Sequence, residues 1–136
     1  MTTVAVSGYF VYLHKGHVRL FKAARELGDK LVVIVNNDAQ QEKKKGKVIV
    51  PEEDRAEVIR SIRYVDESIV AIDDDGTVCK TLEQIKPDIF ANGGDRTGEN
   101  TPEGETCEKL GIEMRFNVGG EKADSSSRIF DELNKI

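Results

Sequence analysis

The feature that most constrains this chain is an alternation carried to its end, in which apolar runs of strand length give way to segments of helical period. Residues 3–7 read as a buried strand. Residues 18–27 read as a helix with Leu20, Phe21, Ala24 and Leu27 on one face and Gly28 as its stop. A second strand spans 30–35. Pro51, followed by Glu52, Glu53 and Asp54, opens a helix expected to bury Val58, Ile59 and Ile62. A third strand at 68–72, a helix at 77–85 through Val78, Leu82 and Ile85, and a fourth strand at 89–92 follow. Thr101 and Pro102 cap a helix reaching Leu110 and Gly111, and 112–118 alternates as an edge-like fifth strand. Residues 125–136 close the chain as a helix through Ile129, Phe130, Leu133 and Ile136. Five strand-then-helix units predict a single α/β, Rossmann-like domain over residues 1–136, a five-stranded parallel sheet with helices on both faces. Ligands of such sheets bind beyond the carboxyl ends of the strands, so function is sought in the turns that follow them.

Composition removes several partners. A net charge of -5 argues against nucleic acid, whose affinity rests on a basic face. Cys79 and Cys107 stand far apart with no Cys/His cluster, which excludes a structural zinc site or a disulfide framework and fits a cytoplasmic setting. The longest aliphatic run, 31–35, is far short of a membrane span, and the first dozen residues lack the Lys or Arg of a signal peptide. Neither a membrane nor an export route is expected. Locally the charge reverses, for Lys43, Lys44, Lys45 and Lys47 crowd one stretch expected to be a solvated loop. Asp73, Asp74 and Asp75 read as a solvated turn before a helix.

The turn after the first strand carries the chemistry. It runs from Gly8, Tyr9 and Phe10 through His14, Lys15, Gly16 and His17 directly into a helix. Helix N-termini attract anions through unpaired N–H groups and the helix dipole. Two imidazoles and a lysine there, with Gly16 permitting close approach, make a site for a polyphosphate.

These residues resemble the opening motif of the H-x-G-H nucleotidylyltransferase superfamily, in particular its small cytidylyltransferase-like enzymes, such as those acting on glycerol 3-phosphate or heptose 1-phosphate. Gly8, Phe10, His14, Gly16 and His17 match that opening. The stretches at 35–38, at Lys45 and Gly46, at Pro51 and Arg55, at 62–66, at Gly93, Gly94 and Asp95, and at 125–129 are similar to the family's later blocks. The resemblance implies transfer of CMP or AMP from CTP or ATP to a small phosphorylated alcohol or sugar, with pyrophosphate released. It also implies magnesium carried on the triphosphate, with no protein metal cage, and a homodimer.

The chemistry sets roles for the candidates. In-line attack on an α-phosphate asks the protein mainly for positioning and for stabilisation of negative charge. His14 and His17 suit the α- and β-phosphates, and Lys45, with Lys43 and Lys44, the β/γ end. Arg63 resembles the family's second phosphate clamp, with a structural ion pair as the alternative. Ser125, Ser126 and Ser127 offer donors at the last helix, with plain capping as the alternative. Gly93, Gly94 and Asp95 are expected to shape the base and ribose pocket, with a tight turn as the alternative, and Tyr9 and Phe10 to lie beside the nucleotide. Val11 stands where the family has aspartate, and residues 119–124 lack the R-T-x-G of the CTP-using glycerol phosphate enzymes, which leaves CTP against ATP open. Val11 also raises the alternative of a nucleotide-binding regulatory protein without catalysis. The acceptor pocket is expected among loops such as 96–100.

Overall fold

Branched side chains dominate the central strands because a sheet covered on both faces has no solvent side to fill with polar residues. The computed structural model describes residues 1–93 and 101–119. Five parallel strands, β1 (Thr3–Gly8), β2 (Lys30–Val35), β3 (Glu67–Val70), β4 (Ile89–Ala91) and β5 (Glu113–Arg115), lie in the order β3-β2-β1-β4-β5. Strand order therefore reverses at β1, between β2 and β4, and opens a crevice beyond Gly8. The register Val4↔Leu31 to Gly8↔Val35 sorts side chains by parity. Val4, Val6, Val33 and Val35 pack on one face against Phe21 and Ala24 of α1 (Lys15–Glu26) and Ala56 and Ile59 of α3 (Glu52–Arg60). Ala5, Ile34 and Phe90 pack on the other against Leu82 of α4 (Cys79–Ile85) and Cys107 of α5 (Pro102–Leu110). At about 2 kcal/mol for each large apolar side chain fully withdrawn from water, these two faces supply the main drive to fold. No described helix is long and apolar enough to cross a membrane.

The amino edge of the sheet is closed by one repeated device. Asp29, Asp66 and Asp88 each directly precede a strand and accept from the backbone N–H of Thr2, Leu31 and Thr3, all at 2.8 Å. Asp66 also pairs with Arg25 at 2.9 Å. Backbone donors at the starts of β1 and β2 are thus satisfied by carboxylates.

Three expectations need correction. The lysine run is no loop: Lys43, Lys44 and Lys45 form the last turn of α2 (Asp38–Lys45), closed by Gly46 at φ 84. Its inner face is polar, because Gln40 and Gln41 are buried with every amide atom bonded. Gln40 accepts from Asn36 Nδ2 and the Asn37 N–H and donates to the Asp75 and Thr77 carbonyls. Gln41 accepts from the N–H groups of Ile49 and Val50 and donates to the Val50 carbonyl. Second, α3 turns a different stripe inward. Arg55, Ala56 and Ile59 are buried while Val58 is 52% exposed, and Ile62 is only half-buried beyond the helix end. Third, Asp73 is buried, accepting from Lys80 N, Thr81 N and the Thr81 hydroxyl at the start of α4, so only Asp74 and Asp75 form a solvated turn. The elements are otherwise where the sequence predicts, though β3, β4 and β5 are shorter, and the closing helix at 125–136 lies outside the described residues.

Candidate active site

Every helix that starts at the carboxyl edge must satisfy its first N–H groups, and the described helices do so differently. Asn37 caps α2, and α2 and α3 then cap each other: Asp38 accepts from the Glu52 N–H at 2.7 Å and Glu52 from the Asp38 N–H at 2.9 Å. Asp73 caps α4, and Thr101 caps α5, whose first turn carries Glu103 and Glu105. Only α1, among the described helices, combines a first turn free of acidic residues with caps that carry no carboxylate. Its caps are imidazoles. His14 Nδ1 accepts from the Gly16 N–H at 3.1 Å, and His17 Nδ1 accepts from the His14 N–H at 3.3 Å. An Nδ1 that accepts is unprotonated, so this pattern assigns both rings the tautomer with its proton on Nε2. The rings stack at 3.9 Å with planes 26° apart, which aligns two N–H donors at one positive helix end.

The wall beneath this pair is apolar. Phe10 adopts φ 52, and its buried ring meets His17 edge-on at 5.1 Å and Phe21 at 5.4 Å. A Cβ on Gly8 would stand 2.7 Å from that ring, so glycine is required there by packing. The structure sets the Phe10 ring in the core, where it supports His17. Val11, in place of the family aspartate, is buried too.

Arg55 fixes the turn from below. Its guanidinium is buried and donates to the Tyr9 carbonyl at 2.8 Å, the Asn36 carbonyl at 2.6 Å and Asp38 Oδ1 at 3.1 Å, with Nε on the Val50 carbonyl at 2.8 Å. One side chain thus ties the ends of β1 and β2 to α2 and its return loop. Its role was missed in the sequence, although the i, i+4 pair of Arg55 and Ile59 on one helical stripe was a readable signal.

The lysines divide. Lys44 Nζ lies 4.3 Å from the centre of the Tyr9 ring, beside the histidine turn, while Lys43 donates to the Asp74 carbonyl at 3.1 Å. Lys45 is half-buried in the same helical turn. Arg63 is not brought to this site. It is exposed in the turn between α3 and β3, at the amino edge of the sheet, the end opposite the histidines. Gly93 follows β4 at the carboxyl edge, and a Cβ there would meet nothing within 4 Å. Gly94, Asp95, Ser125, Ser126 and Ser127, with the 96–100 loop, lie outside the described residues. Among the described residues no group of three His, Cys, Asp or Glu side chains is placed to hold a metal ion.

The cytidylyltransferase-like family model matches residues 5–113. An FAD synthase of Pyrococcus abyssi is 42% identical over 113 residues, covering 82% of this chain and 75% of that protein. The bifunctional protein HldE of Streptomyces coelicolor is 44% identical over 104 residues, but the match spans 75% of this chain and only 22% of HldE. A lipopolysaccharide core biosynthesis protein of Thermoplasma volcanium, known from its crystal structure, superposes with a TM-score of 0.68 at 34% identity, covering 85% of this chain and 93% of that one.

Proposed function

Since this chain belongs to the cytidylyltransferase-like family and is a nucleotidylyltransferase, we propose that it transfers AMP from ATP to the phosphate of a small acceptor, with FMN the first acceptor to test. The stacked His14 and His17 at the start of α1 carry the reading. ATP and FMN are supported by the relatives named FAD synthase, one of which this chain matches over 75% of its length. An acceptor phosphate oxygen attacks the α-phosphorus in line, a new P–O bond forms, and the bond to the β-phosphate breaks with its electron pair leaving on pyrophosphate. The Nε2–H groups of His14 and His17 stabilise the charge that develops on the phosphate oxygens, and the α1 dipole adds to the same field. Lys44 takes the pyrophosphate end. Magnesium would be carried by the triphosphate, with no described side-chain cage to hold it, and would add positive charge at the leaving pyrophosphate.

The HldE relative supports a sugar phosphate as the rival acceptor. Pyrophosphate release decides between them, measured for ATP and CTP against FMN, glycerol 3-phosphate and a heptose 1-phosphate. Release with ATP and FMN, yielding FAD, is expected. Release only with CTP, or only with a sugar phosphate, would overturn the assignment of that substrate.

A further inference from the structure

Among the described residues, three that are not glycine have a positive φ: Phe10 at 52, Lys86 at 45 and Asn117 at 57. Lys86 is the left-handed cap that ends α4, and asparagine tolerates that region. Phe10 ends no helix and carries a bulky ring, so its backbone is strained and persists only because its surroundings over-determine it. The two carbonyls before it are both pinned. That of Gly8 accepts from the Asn36 N–H at 2.9 Å, and that of Tyr9 from the buried Arg55 at 2.8 Å.

What the strain secures is a place for the ring. It lies buried with Phe21 at 5.4 Å, and its Cζ occupies the space over Gly8, where a Cβ would stand 2.7 Å away. Its other neighbour is His17, at 5.1 Å with the planes 80° apart, while His14 stacks on the same imidazole at 3.9 Å and 26°. The His17 ring is thus bracketed by one ring close to parallel and one close to perpendicular. Turning it to redirect Nε2–H would press on one of them and release the 3.3 Å bond to Nδ1.

We propose that Phe10 is a positioning residue for the transfer reaction, acting through His17: the strained turn holds the ring that sets the direction of the His17 Nε2–H, and Gly8 leaves that ring its place. This rests on the nucleotidyl-transfer reading of the site. Phe10→Leu keeps an apolar side chain but removes the Cε and Cζ atoms, and Gly8→Ala keeps the ring but displaces it.

Kinetics and histidine spectra test this together, with the melting temperature of each variant reporting the fold. Phe10→Leu should lower kcat about tenfold or more, the scale of a slightly misplaced contact, and leave the KM for ATP within about twofold. Gly8→Ala should do the same, yet in the Phe10→Leu background it should add no more than about twofold, because the atoms it would strike are gone. With isotope-labelled histidine, and only two histidines to assign, the imidazole nitrogens of His17 should show the Nε2–H form in the parent without nucleotide and shift toward a mixture of tautomers in both single variants. Losses that multiply would overturn the proposal, since Gly8 and Phe10 would then act separately. An unmoved His17 spectrum, or a raised KM with kcat intact, would overturn it as well. If Phe10→Leu fails to fold, Gly8→Ala carries the same comparison of kcat and spectrum. If the parent releases pyrophosphate with no acceptor, the reaction assignment falls, and the spectra still decide whether Phe10 sets His17.

Discussion

Two imidazoles can cap one helix only by surrendering Nδ1 to the backbone, and this sets what His14 and His17 can do next. With Nδ1 accepting at 3.1 and 3.3 Å, each ring presents Nε2–H as a donor of fixed direction. His17→Ala should lower turnover about 100-fold or more, the scale for one preorganised charge-stabilising donor, and His14→Ala similarly. Stopped assays at saturating ATP and acceptor check this, and near-normal turnover in either variant would remove that histidine from the chemistry. Cys107 answers a different question at the same scale. Burial first, then the nearby Cys79 and Glu103, raise its thiol from 9.0 to about 11. At pH 8 a thiol reagent should therefore label half-exposed Cys79 and spare Cys107 in the native protein. The sign for stability follows. Between pH 9 and 11 the unfolded thiol has lost its proton and the folded one has not, so the unfolded state binds fewer protons and stability falls as pH rises. Cys107→Ala should flatten that part of a urea-midpoint profile taken across the same range.

Among the elements, α2 shows where the sequence stops being legible. Strands such as 30–35 declare themselves because a two-face-buried strand is an unbroken apolar run, and α5 declares itself through Thr101, Pro102 and Gly111. α2 has no apolar face. Its burial is that of Gln40 and Gln41, whose partners at 49–50 and 75–77 are backbone groups that no periodicity announces. The helix is thus fixed by long-range polar satisfaction, and its sequence alone resembles a solvated loop. The sequence signal for the candidate site was local, in Gly8, His14 and His17, and the structure brings the two histidines together at the start of α1. It was misread where tertiary direction decides, since Arg63 and Arg55 are one helix apart yet lie at opposite edges of the sheet. A paired experiment separates what α2 carries from what stabilises it. Changing Lys43, Lys44 and Lys45 together to alanine should shift unfolding free energy by no more than about 1 kcal/mol, because exposed charges contribute little, yet weaken ATP binding markedly. Gln41→Ala strands the N–H groups of Ile49 and Val50, and should cost about 2–3 kcal/mol as well as weakening ATP binding. Urea titrations beside calorimetry decide it; a strong stability loss in the lysine variant would show that the run has a structural task.

At the scale of the molecule, the sheet separates stability from function along the strand axis. Its amino edge is closed by Asp29, Asp66 and Asp88, each accepting from a backbone N–H at the start of β1 or β2 at 2.8 Å. Its carboxyl edge carries the histidine pair, the lysine turn and the buried arginine beneath them. The same polarity explains how a chain of net charge -5 can host a polyphosphate. Coulomb interactions between exposed charges are screened within about 8–10 Å at physiological salt, so the carboxylates at one edge are weakly felt across the sheet by an anion at the other. A triple change of Asp29, Asp66 and Asp88 to alanine tests the separation. Each backbone bond to a partly exposed acceptor contributes about 1 kcal/mol, so the triple variant should lose about 3 kcal/mol of unfolding free energy. Its kcat and its KM for ATP, measured well below the new melting temperature, should stay within about twofold of the parent. The reverse pattern is expected at the other edge, where His17→Ala removes turnover and leaves the urea midpoint nearly in place. If the aspartate variant folded yet lost turnover on the scale of the histidine variant, the two edges would be energetically coupled through the sheet, and the site could not be described as resting on the carboxyl edge alone.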